Sequence, residues 1–120
     1  MQDYRKLKVW EKAHILVVDI YQILEAFPKY EMFGLSSQIR RAAYSIPMNI
    51  AEGAGRKTNL DFANFLNVAL GSANELDYQM LLAKDLHYID ENKYNDLELR
   101  IGEIKGMLIT LISAVRRNVK

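Results

Sequence analysis

Apolar residues recur along this chain at steps of three and four in four separate stretches, which is the spacing of one buried face per helix. Trp10, Ala13, Val17, Ile20, Leu24 and Phe27 mark a first helix that starts at Asp3 or Leu7 and is stopped by Pro28. Ile39, Ala43, Ile46, Ile50 and Ala54 mark a second over roughly 36 to 55. Phe62, Leu66, Ala69, Ala73, Leu76, Met80 and Ala83 mark a third, from about Leu60 to Leu86. Tyr94, Leu97, Ile101, Ile104, Leu108, Leu111 and Val115 mark a fourth, with Asp90 as its cap. Gly34 allows a turn before the second helix, Ser36 or Ser37 offers it a cap, and Thr58 or Asn59 does so for the third. Four helices with short connections must alternate in direction. The predicted fold is therefore all-α, a single antiparallel up-down-up-down four-helix bundle over residues 1–120.

Two departures from this pattern carry more information than the pattern itself. On the second helix Gln38, Arg41, Ser45, Asn49, Glu52 and Arg56 form a polar stripe beside the apolar one, and Pro47 interrupts the run. A proline there removes one backbone donor and crowds the preceding turn, at about 3 kcal/mol in a regular helix, so a kink is expected, with Ser45 available to the freed backbone groups. Gly53 and the neighbouring alanines admit close approach by another backbone. Gly71, which costs about 1 kcal/mol relative to alanine in a helix interior, is expected to do the same. The second departure is surplus apolar surface. Val9, Val18 and Ile23 on the first helix and Phe65, Val68 and Leu82 on the third fall off the principal stripes, which predicts that they form an interface between copies of the chain.

Composition narrows the chemistry. There are no cysteines and only two histidines, His14 and His87, so disulfides and thiolate metal sites are excluded, and a transition-metal site would need carboxylates for most of its ligands. Both histidines read as structural. No glutamate stands three residues before a histidine, as di-metal bundles require, and neither histidine follows an arginine in the manner of helical toxin ribonucleases. The run Gly55-Arg56-Lys57-Thr58 lacks the glycine directly before lysine, and the preceding strand, of a phosphate-binding loop. The expectation is a protein that is no enzyme and carries no cofactor or metal. With no apolar run long enough for a signal peptide or a membrane span, a cytoplasmic location is expected.

The net charge of +1 says little, but its distribution says more. Arg40, Arg41, Arg56 and Lys57 stand against Glu52 alone, and Arg5, Lys6 and Lys8 make the N-terminus basic. These seven residues are the candidate nucleic-acid surface. The dipole of the fourth helix is enough to explain the basic C-terminus, Arg116, Arg117 and Lys120, which could also join that surface if the termini lie nearby.

Lys8-Val9-Trp10, Ser45-Ile46-Pro47, Asn49-Ile50-Ala51-Glu52-Gly53 and Ala69-Leu70-Gly71-Ser72-Ala73 with Glu75-Leu76 occur in this order at a spacing that resembles the bacterial four-helix-bundle proteins encoded within intervening sequences of 23S ribosomal RNA genes. The resemblance covers nearly the whole chain. It implies a helical bundle and, through the related accessory proteins of diversity-generating retroelements, a homopentamer with RNA or DNA and a reverse transcriptase as partners. A structural or protein-interaction scaffold with no nucleic-acid role is the alternative.

Overall fold

The computed structural model describes residues 2–119. Four helices, α1 (Lys8–Leu24), α2 (Leu35–Ala54), α3 (Asn59–Asp85) and α4 (Glu91–Arg117), follow one another, with short 3-10 turns at Tyr4–Lys6 and Lys29–Glu31. There is no strand among the described residues. Each helix packs on its successor, giving an all-α four-helix bundle about one core and 49 Å in its longest extent.

Every apolar position read for α2 and α3 is buried, from Ile39 to Ala54 and from Phe62 to Ala83. On α1 the buried line is Val9, Ala13, Leu16, Ile20, Leu24 and Phe27, so the face is rotated slightly and Trp10 and Val17 become its half-buried edge. Val9 is thus a core residue, 4% exposed, and not part of an intermolecular surface. On α4, Ile112 and Val115 close the core while Leu111 is half-buried.

The helix ends have separate causes. The residue before a proline is driven out of the helical region, and ahead of Pro28 the chain tightens into i→i−3 bonds, from Glu25 N to Gln22 O and from Phe27 N to Leu24 O, so α1 ends at Leu24. Phe27 still reaches the core. Thr58 caps α3 through the Asp61 N–H at 3.1 Å, and Asp90 caps α4 through the Lys93 N–H at 2.7 Å. At α2 the expected serine cap is absent. The Glu31 carboxylate accepts the Leu35 N–H at 3.1 Å from four residues upstream, and Ser36 is buried.

α2 continues through Pro47, which is buried. Ser45 does not serve the backbone freed there. Its hydroxyl meets Ser72 on α3 at 2.9 Å, and Asn49 Nδ2 donates to it at 2.9 Å and to the Ser45 carbonyl at 2.8 Å. The middle of the polar stripe is therefore a hydrogen-bonded seam between α2 and α3. Gly53 sustains that seam, because a Cβ there would lie 2.7 Å from the Phe65 Cβ and 3.0 Å from the Phe62 Cδ1. Gly71 has no such role: nothing lies within 4 Å of where its Cβ would stand.

The opposite side closes less fully. α1 touches α4 at few positions, held there by Arg100 to Asp19 at 2.8 Å and Lys12 to Glu103 at 2.7 Å. Between them runs an open groove of about 630 Å³ lined mainly by Leu7, Val9, Met107, Leu111 and Ala114.

Candidate nucleic-acid interface

Four alternating helices put both chain termini and the α2–α3 connection at one end of the bundle. Two hydrogen bonds fasten them there: the Gln2 N–H donates to the Ala54 carbonyl at 2.7 Å, and Asn59 Nδ2 donates to the Asn118 carbonyl at 3.4 Å. The 3-10 turn Tyr4–Lys6 lies against both α1 and α2. Three stretches far apart in sequence thereby place Arg5, Lys6, Lys8, Arg56, Lys57, Arg116 and Arg117 together, against Asp3, Glu52 and Asp61. Lys120 lies outside the described residues.

The seven cations are not equally available. Arg56 pairs with Glu52 at 3.1 Å and lies 4.7 Å over the Phe65 ring, which holds its guanidinium flat against the α2–α3 seam. Arg5 pairs with Asp3 at 3.3 Å, and the Arg5 backbone N–H, then its side chain, hold the Asp3 carboxyl below the usual carboxylate range. Lys6, Lys8, Lys57, Arg116 and Arg117 are exposed and make no ion pair among the described residues.

Arg40 and Arg41 do not join this surface. They precede Arg56 by sixteen and fifteen residues, roughly 22–24 Å at the helical rise, and Arg40 turns to the Met32 carbonyl at 3.4 Å. The basic segment that reads as one patch in sequence is divided between the two ends. Arg116 and Arg117 take the vacated place. The even number of helices, which brings the C-terminus beside the N-terminus, is the sequence signal that locates them.

The far end, where α1 meets α2 and α3 meets α4, has the opposite character. Glu25, Glu31, Asp85, Asp90 and Glu91 stand there against Lys29, Lys84 and Lys93, with Arg40 reaching the α1–α2 connection from α2. Glu31 is its pivot, capping α2 with one oxygen and accepting the Tyr88 hydroxyl at 2.9 Å with the other, while Tyr88 and Tyr30 hydroxyls meet at 3.1 Å. The Tyr30 contact, with partial desolvation and the Glu31 carboxylate, pushes ionisation of Tyr88 well above the ordinary tyrosine range. Tyr88 is delivered by a Schellman turn. His87 takes a left-handed φ of 63°, Tyr88 N donates to the Ala83 carbonyl and His87 N to that of Lys84. That places His87 by backbone geometry. His14, on α1, stacks on Trp10 at 5.1 Å.

Of the apolar residues expected between copies, Val18 and Val68 are exposed, whereas Ile23, Phe65 and Leu82 are half-buried against their own chain. Ile15 on α1, Tyr78 on α3 and Leu99 and Ile109 on α4 are exposed as well and escaped the sequence reading. No group of side chains suited to hold a metal ion occurs among the described residues, and no helix there is long and apolar enough to cross a membrane.

The 23S rRNA-intervening sequence protein family matches residues 5–110, and the chain belongs to that family. It is similar, with 32% identity and a TM-score of 0.81, to a protein of unknown function from the S23 ribosomal protein family of Bacteroides thetaiotaomicron VPI-5482, solved by crystallography; the likeness covers 88% of this chain and 95% of that one. Among curated proteins none matches.

Proposed function

We propose that this member of the 23S rRNA-intervening sequence family is a non-enzymatic, self-associating bundle that binds nucleic acid, RNA in the first place, on its basic end. The observation that carries this reading is the convergence of the N-terminal turn, the α2–α3 connection and the end of α4 on one surface, where lysines and arginines outnumber carboxylates. Such a surface meets phosphates without reading bases. Self-association is supported by the large apolar side chains that α1, α3 and α4 leave exposed, Ile15, Val18, Val68, Tyr78, Leu99 and Ile109. Assembly repeats the basic end and multiplies a weak single contact.

The test is binding of a hairpin RNA across a salt series. Affinity should fall with a slope of about 0.9 per neutralised phosphate on a logarithmic plot, and replacing Lys6, Lys57, Arg116 and Arg117 by glutamate should abolish binding with helicity unchanged. Charge reversal at Arg41, remote from this end, should leave binding in place. If the wild-type protein shows no affinity even at low salt, the chain is a protein-only scaffold. Light scattering at micromolar concentration examines the assembly, and a monodisperse monomer would remove it.

A further inference from the structure

The most exposed large apolar side chain among the described residues belongs to Phe33, at 92%, and it does not stand alone: Tyr30 is 79% and Met32 49% exposed in the same connection. This connection is rigidly built. Glu31 ties it to Leu35 and to Tyr88, Tyr30 reaches Tyr88, Arg40 holds the Met32 carbonyl, and Tyr88 packs on Phe27 with ring centres 5.1 Å apart. An aromatic side chain presented on a fixed backbone is a prepaid docking anchor, since little freedom remains to be lost on association.

Two features state what it would dock into. This end carries Glu25, Glu31, Asp85, Asp90 and Glu91 against Lys29, Lys84, Lys93 and the Arg40 guanidinium on the Met32 carbonyl, so its net charge is negative and suits a positively charged partner. It also requires an apolar hollow within that positive rim. The other end of this same chain supplies both, in an open hollow of about 420 Å³ lined by Thr58, Asn59, Leu60, Asn118 and Val119, beside Lys57, Arg116 and Arg117.

We infer that the acidic end of one molecule docks onto the basic end of a second copy, with Phe33 entering the Leu60–Val119 hollow, and thereby masks the nucleic-acid surface. The masking rests on the function proposed above; the docking does not. The bundle is 24 × 20 Å in cross-section, so an end contributes roughly 500 Å² and the pair about 1,000 Å², the size of a weak, transient contact. The contact is head-to-tail and leaves a free end on each side, so it extends with concentration rather than closing.

The absence of native cysteine makes a direct test available. Lys29→Cys and Asp61→Cys proteins, which keep Phe33 and Leu60, should on separate preparation, mixing and oxidation form the mixed disulfide dimer in several-fold excess over a control pair of Lys29→Cys with Asn74→Cys, whose exposed position lies midway along α3. The excess should vanish at about 1 M salt, where screening reaches about 3 Å, and a hairpin RNA should suppress it. Equal yields from the two pairs, or a yield indifferent to salt, would overturn the docking. Loss of RNA binding in every format, with the salt-sensitive crosslink retained, would remove the masking and the nucleic-acid reading while leaving the docking established. Phe33→Ser, which touches no buried contact, should lower the concentration-dependent rise in sedimentation coefficient at low salt, and an unchanged rise would count against the anchor.

Discussion

The α2–α3 seam and the α1–α4 face obey the same three-and-four spacing, yet one is closed to the limit of steric contact and the other stands partly open. At Gly53 a single added carbon would collide with two phenylalanines; at Gly102 and Gly106 on α4 it would meet nothing within 4 Å. The seam also carries a buried-edge hydrogen-bond network, Ser45 to Ser72 with Asn49, where the open face is spanned by ion pairs whose members are partly solvated. The same residue type therefore means opposite things in the two places. In the seam glycine is required by a neighbour, and on α4 it only weakens the helix.

The largest effect is expected at the seam. Gly53→Ala should destabilise the fold by about 1–3 kcal/mol, the range for overpacking a close contact, seen as a lower urea midpoint with unchanged slope. The first turns of α4 give an intermediate, pH-dependent case. Tyr94 donates to Glu98 at 2.6 Å, and this bond, with desolvation, pushes its ionisation from 10.0 up to about 12. The folded state holds the proton more tightly than the unfolded one, so the stabilisation is complete below pH 10 and drains away as pH rises toward 12. Thermal melts of Tyr94→Phe should lack that alkaline loss.

On the open face the sign reverses. Gly106→Ala, in the groove, should stabilise the monomer by up to about 1 kcal/mol, the helix-propensity difference alone, and a destabilisation would mean the face is filled. Smallest is Arg100→Ala. Its bond to Asp19 lies between side chains 29% and 40% exposed, so about 0.2–1 kcal/mol is at stake and should shrink with added salt in a denaturation series.

Much of this architecture was legible in the periodicity because α2 and α3 each carry one unambiguous apolar line. α1 was read one step off since Val9 and Trp10, and again Leu16 and Val17, are adjacent apolar pairs that a 3.6-residue period cannot separate. The tie is broken by tertiary contact, where the core takes the smaller Val9 and leaves Trp10 to meet the Tyr4 ring edge-to-face at 4.8 Å and to stack on His14. The site was legible as a set of charges and illegible as a surface. Arg40 and Arg56 are near neighbours in a charge count, but a helix converts their separation into about half the length of the molecule. The second role of Glu31 left no local trace, because Tyr88 lies 57 residues away and meets it only after the bundle has formed.

The sparse contact between α1 and α4 has a consequence for how the molecule breathes. A helix fastened along one edge can swing out while the other three stay packed, so α1 constitutes an opening unit of lower free energy than the remainder. Native-state hydrogen exchange should show the amides of Leu16 and Ile20 exchanging through an opening smaller than global unfolding, with Leu66, Ala69 and Ala73 on α3 exchanging only when the whole bundle unfolds. When α1 lifts it carries Lys8 with it, and the basic end loses part of its charge while the core of the bundle remains folded.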